Sequence, residues 1–150
     1  MAQSLAKILV HLIFSTKHRA PLLPPTPFAD LHAYAQGIFQ TQKCHLIEMN
    51  NIVDHVHALF DLHRTASIAN VVMHVKKGTS RWLKEQSPSF AGFDWQEGYG
   101  AFSIGRSQRD DVIAYIRRQQ EHHRRVSFQE EFRKFLESYQ IDFDERYVWD

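Results

Sequence analysis

Cysteine is nearly absent from this 150-residue chain. Cys44 stands alone, which excludes a disulfide framework and any zinc site built on cysteine pairs. Long apolar runs are missing too. The longest near the start, residues 8–14, is interrupted by His11, is too short to cross a bilayer and lacks the flanks of a signal peptide. A cytoplasmic protein with no membrane partner is therefore expected. No glycine-rich phosphate loop, GxSxG elbow or HExxH motif occurs, so no small-molecule cofactor is expected. Net charge is also scarce: 18 Lys and Arg oppose 17 Asp and Glu, for a formal +1.

What is present is an ordinary globular composition, with 43% hydrophobic and 23% charged residues. Disorder and fibrous repeats are thereby excluded, and the length fits one domain, 1–150. The near-zero charge conceals an asymmetry. Residues 1–126 carry 15 basic against 10 acidic side chains, or +5, whereas 127–150 carry 3 against 7, or −4. A nucleic-acid partner is compatible with such a basic body, and the acidic segment reads as a solvated helix and tail.

Alternation over residues 7–14 predicts a strand, with Ile8, Val10, Leu12 and Phe14 on one face and Leu9, His11 and Ile13 on the other. Pro21, Pro24, Pro25 and Pro27 impose a loop, and Thr26 followed by Pro27 reads as a helix start. Strands are expected over about 44–50 and 55–62. Ser67 should cap a helix whose Ile68, Val71, Val72, Val75, Trp82 and Leu83 form an apolar stripe, and a fourth strand follows at 99–104. Ser107 with Asp110 suggests a capping box opening a helix to about Arg125; Ser127 with Glu130 suggests another. The order βαββαβ indicates an α+β, ferredoxin-like antiparallel sheet with helices on one face, plus two C-terminal helices. The last helix, with Phe128, Phe132, Phe135, Leu136 and Tyr139 along one side, is too short to bury that side alone and should dock on the core of about 6–126.

Three groups of residues carry possible chemistry. His55 and His57, two apart on a strand, aim their imidazoles the same way while Val56, Ala58 and Phe60 point into packing. Imidazole is the commonest nitrogen ligand for a divalent metal, yet two histidines do not complete a site. Tyr115, Gln119 and His122 share one helical face; a phenol can act as a nucleophile and an amide carbonyl can bind a hard cation. Lys77, Arg81 and Lys84 form a basic stripe beside Lys76, and Arg106, Arg109, Arg117 and Arg118 add charge around the tyrosine, a distribution suited to phosphates. Each group taken alone also reads as ordinary surface or packing. Cys44 and His45, adjacent on a strand, point to opposite faces and cannot form a dyad.

Taken together, the motifs resemble the single-tyrosine HUH transposases of bacterial insertion sequences, the IS200-like family, and their relatives associated with extragenic palindromes. His55-Val56-His57 meets the His-hydrophobic-His pattern. Residues 11–19, 76–81 and 98–103 resemble the family's first strand, second helix and fourth strand, and Tyr115 with Gln119 and His122-His123 resembles its nucleophile helix. Arg118 departs from the Asn of many relatives.

The resemblance implies a DNA strand transferase. Mg²⁺ or Mn²⁺ held by His55, His57 and Gln119 would polarise the scissile phosphate, and Tyr115 would form a 5′-phosphotyrosine on single-stranded DNA. It further implies hairpin recognition, with Lys76, Lys77, Arg81, Arg106, Arg117 and Arg118 as DNA contacts, and a homodimer in which each tyrosine helix can serve the partner's histidines. His11, on the strand next to the HUH strand, is expected beside the metal. A non-catalytic or domesticated nucleic-acid-binding protein of the same fold is the alternative, and a metal-dependent hydrolase of a small substrate is a third reading.

Overall fold

In the computed structural model, which describes residues 2–150, four strands form one antiparallel sheet in the order β2-β3-β1-β4. They are β1 Leu9–Ser15, β2 His45–Asn51, β3 His55–Asp61 and β4 Gly100–Ile104. The fold is α+β, as the element order predicts. Alternation along β1 and β3 decides what each face meets. Val10, Leu12, Phe14, Val56, Ala58 and Phe60 lie in the main core beneath α1 (Ala29–Thr41) and α2 (Ile68–Gln86). Residues of opposite parity, Leu9, Ile13 and Leu59, meet the C-terminal helices on the other face.

Those helices are α3 (Arg109–Arg117), α4 (Gln119–His122) and α5 (Phe128–Ser138). Helix α5 docks as its apolar stripe requires, with Phe128, Phe132 and Leu136 packed on Ile13 and Phe102. Gly100 is the contact that permits it, since a Cβ there would collide with the Phe132 ring. At the N-terminus of α5 the Ser127 hydroxyl accepts from the Glu130 N–H at 3.2 Å, and Ser67 caps α2 by accepting from Asn70 N–H at 3.1 Å.

Three expected boundaries move, each for a visible reason. Helix α1 begins at Ala29, not after Thr26, because the Asn51 side chain holds the preceding loop: its amide donates to the carbonyls of Pro24 and Thr26, and its Oδ1 accepts from Phe28 N–H. A 3₁₀ turn, Arg106–Gln108, precedes α3, and Gln108 Oε1 rather than a Ser107 cap takes the Gly105 N–H at 3.0 Å. The helix expected to reach Arg125 breaks at Arg118, where the buried Asn50 amide donates to the carbonyls of Ile116 at 2.8 Å and Arg117 at 3.5 Å. A side chain from β2 thus ends α3 and turns the chain so that Gln119 points inward.

Candidate metal and tyrosine centre

The register of β1 against β3 sets the centre's floor. His57 pairs with Ile13 and His11 with Leu59, so His11 and His57 are diagonal neighbours on the face toward α3 and α5. Their rings touch, with His11 Nε2 2.8 Å from His57 Nδ1, and both side chains are buried. Beside them lies His55, whose Nδ1–H donates to Asp54 Oδ1 at 2.7 Å. That bond fixes the ring and leaves Nε2 facing the interior, the carboxylate–histidine arrangement that orients metal-binding imidazoles.

Glu131 of α5 reaches into this cluster. Its Oε1 accepts from His57 Nε2–H at 2.8 Å and lies 3.3 Å from His123 Nε2 and 3.5 Å from His55 Nε2. Its Oε2 accepts from the Tyr115 hydroxyl and lies 3.2 Å from His122 Nε2. Ligand atoms of His55, His57, His123 and Glu131 all fall within 4.8 Å of one another, a spacing that could hold a metal ion. Three imidazoles and a carboxylate suit Mn²⁺ or another first-row divalent ion, and the carboxylate suits Mg²⁺.

Gln119 is fully buried, with its Nε2 donating to the Tyr115 carbonyl at 3.2 Å. Its Oε1 is the one buried side-chain polar atom, among the described residues, that has no hydrogen-bond partner. An unpaired carbonyl oxygen in the interior is costly unless a ligand satisfies it, and a cation would.

Electrostatics follow from burial and proximity. Burial would raise the Glu131 carboxyl, but the surrounding imidazoles, His57 foremost, hold it well below the usual carboxylate range. Burial also opposes charge on His55, yet the hydrogen bonds to Asp54 and Glu131 outweigh it and raise its pKa. His57 is depressed chiefly by burial, and His11 is pushed down to about 3 by burial and by the adjacent His57. Burial first, and the negative charge of Glu131 second, raise the Tyr115 phenol above its ordinary value, so it stays protonated at neutral pH.

The sheet, the HUH pair and a half-buried tyrosine coincide with a family match. The model of the family described as "Transposase IS200 like" matches residues 4–119. The chain belongs to that family. No curated protein matches it significantly. Among solved structures, a candidate transposase of Deinococcus radiodurans R1 is 23% identical with a TM-score of 0.59, covering 79% of this chain and 98% of that one. A REP-associated tyrosine transposase, solved bound to a REP hairpin, is 13% identical at a TM-score of 0.59 and covers 84% and 74%. At such identities the two likenesses speak for the fold.

The IS200-like match ends at Gln119, so His122, His123 and Glu131 lie beyond it. Of the residues expected at the centre, the fold brings together His55, His57, Tyr115 and His11, while Gln119 is buried against the Tyr115 backbone. Glu131 and His123 were not anticipated as metal ligands. A signal for Glu131 existed: it falls among Phe128, Phe132 and Phe135 on the apolar side of α5, where an unpaired carboxylate would be costly.

The expected DNA contacts do not form one surface. Lys77 and Arg81 line a groove of about 900 Å³ between α2 and the loop before β4, together with Lys17, Lys84, Trp95 and Tyr99. Lys76 reaches the same loop, but its ammonium donates to the carbonyls of Gln96, Glu97 and Gly98. Arg106, Arg117 and Arg118 lie around α3, on the opposite side of the sheet; Arg117 pairs with Glu48 at 2.8 Å. Among the described residues, no helix is long and apolar enough to cross a membrane.

Proposed function

We propose that this IS200-like protein cleaves single-stranded DNA and transfers the strand through a 5′-phosphotyrosine on Tyr115. The observation that carries the reading is that the Tyr115 hydroxyl and the HUH histidines meet on one carboxylate, Glu131, within a single chain. His55, His57 and Gln119, joined by His123 and Glu131, would hold Mg²⁺ or Mn²⁺. When bound, the cation supplies Lewis-acid polarisation of the scissile phosphodiester.

The protein's own groups prepare the nucleophile. Glu131 Oε2 accepts the phenol's hydrogen bond and aims its oxygen at the cluster. His122, whose Nε2 lies 3.3 Å from the phenol oxygen, is about one-third exposed and offers the proton a route to solvent. As the phenol proton leaves, the tyrosine oxygen bonds to phosphorus and the bond from phosphorus to the 3′-oxygen breaks. That oxygen departs as a free 3′-hydroxyl once protonated. The linkage conserves the phosphodiester's free energy, so a second 3′-hydroxyl can reverse the attack without ATP.

Lys77 and Arg81 in the α2 groove are proposed to hold DNA phosphates, including those of a hairpin; Arg106 and Arg118 would contact a strand entering beside α3. Lys76 organises the loop that forms the groove wall, and Arg117 contributes where its pairing with Glu48 yields to phosphate. A homodimer would hold two DNA ends, each beside one tyrosine helix. A DNA substrate places the activity in the cytoplasm.

The test is an adduct that survives denaturant. Purified protein, Mn²⁺ or Mg²⁺ and single strands from the DNA flanking its gene should yield a covalent protein–DNA band, absent in Tyr115→Phe. A band of equal intensity in Tyr115→Phe would remove Tyr115 as nucleophile. Specific hairpin binding with no adduct in any metal would favour the non-catalytic nucleic-acid-binding alternative.

A further inference from the structure

A cavity of about 420 Å³ opens between α3 and α5, with the Tyr115 ring as one wall and His11 at its floor. We propose that it is a subsite for one unpaired nucleobase, that of the nucleotide whose 5′-phosphate becomes linked to Tyr115, and that it selects bases bearing an amino group. The inference rests on the proposed function, because it takes Tyr115 as the nucleophile.

The size falls within the range of small-ligand sites. Its walls are flat. Phe135 packs edge-on against His11, with ring centroids 5.2 Å apart, and Tyr139 lies against Phe102 at 4.9 Å. The Tyr139 hydroxyl donates to the Ser103 carbonyl at 2.9 Å, which pins the ring in place. Rigid aromatic faces are what a splayed base stacks on.

The mouth is polar in a matching way. Lys134 lines it without a salt bridge among the described residues, a cation available to a backbone phosphate. Asp111, also free of an ion pair among the described residues, offers a carboxylate that can only accept. Gln108 spends its Oε1 on the Gly105 N–H, which leaves its amide N–H groups to donate. Acceptor beside donor suits adenine and cytosine, whose amino group adjoins a ring-nitrogen acceptor, and suits guanine best. Guanine presents N1–H and its amino group side by side to a carboxylate, with O6 next to them for an amide donor. Thymine has no amino group, and its single imino N–H lies between two carbonyl oxygens that a carboxylate repels.

The position of Tyr115 commits the occupant. A nucleotide joined through its 5′-phosphate to the phenol oxygen must place its sugar and base within a few ångströms of that atom. The aromatic cavity lined by the same ring lies within that reach. The basic groove at α2 lies across the sheet from it, so the two regions divide the strand between backbone holding and base selection.

The experiment measures equilibrium binding of 5′-phosphorylated tetranucleotides, pNTTT, to the full chain in EDTA. N is adenine, cytosine, guanine, thymine or an abasic residue. Stacking should make every base bind about tenfold or more tightly than the abasic probe. Amino-bearing bases should exceed thymine by about fivefold or more, with guanine highest. Asp111→Asn, at an exposed position, should erase the preference over thymine while preserving the gap to the abasic probe. Tyr139→Leu, checked for folding by circular dichroism, should close that gap. Equal binding of all five probes, absence of binding, or discrimination unchanged in Asp111→Asn would overturn the subsite. Should the Tyr115 adduct form under any of these outcomes, the strand-transfer reading stands and the subsite alone fails. A missing adduct with intact base discrimination places the failure in the chemistry instead.

Discussion

Replacing Glu131 by Gln keeps the shape of a nearly fully buried side chain and removes its charge. Two magnitudes follow. In EDTA the charge-assisted bond from His57 Nε2–H to Oε1, 2.8 Å and fully enclosed, becomes a neutral one. Bonds to charged groups contribute about 1.5–3 kcal/mol against about 1 kcal/mol for neutral pairs, so the apo variant should lose roughly 0.5–2 kcal/mol. Metal affinity should fall further, because a carboxylate ligand is lost; about 100-fold is reasonable where even groups behind the ligands are worth 10–100-fold.

The assay is the thermal shift on adding Mn²⁺ at about 100 times the wild-type dissociation constant. Linkage gives the parent about 2.7 kcal/mol of stabilisation. For a chain of this size that corresponds to roughly 5–10 °C in Tm. The same Mn²⁺ concentration only matches the weakened constant of Glu131→Gln, giving about 0.4 kcal/mol and a shift of roughly 1–2 °C. Equal Mn²⁺-induced shifts in the two proteins would refute Glu131 as a metal ligand. Its role would then reduce to holding the Tyr115 phenol and the histidines.

Salt dependence separates the lysines of α2. Lys77→Ala and Arg81→Ala should each weaken single-strand binding and reduce the slope of log K against log salt by about 0.7, whereas Lys76→Ala should leave the slope unchanged and loosen the loop its ammonium holds, read by hydrogen exchange at residues 96–98. Gly100→Ala should push α5 off the sheet and cost about 1–3 kcal/mol in denaturant unfolding, since the added methyl meets the Phe132 ring. Asn50→Ala should cost about 1–3 kcal/mol by orphaning the carbonyls that end α3, and should slow adduct formation by displacing Gln119; an unchanged rate would separate the helix break from the chemistry.

Much of the centre was legible because strands impose strict spacing. His55 and His57 had to share a face once β3 was recognised, whereas Tyr115 and Gln119, expected on one continuous helix, sit on either side of the break at Arg118. Helix termini were less legible, because long-range side chains set them. Asn51 holds the entry to α1 and Asn50 ends α3, and neither acts on residues near it in sequence. The basic residues read as one DNA footprint divide between two faces, since nothing local tells on which side of a sheet a later helix packs.

Alternation and helical periodicity by themselves determined the antiparallel α+β plan and the two sheet faces; that the imidazoles belong with the tyrosine-bearing helix was implied by the family resemblance. Only the tertiary structure decided that α5 sends Glu131 among those imidazoles and onto the Tyr115 hydroxyl. The physical reason is docking: the phenylalanines that bury α5 against Ile13 and Phe102 carry the carboxylate in with them, and four histidines from distant segments make its burial tolerable. The apparently solvated acidic tail thereby holds a residue of the centre, a fact no count of charges along the chain could reveal.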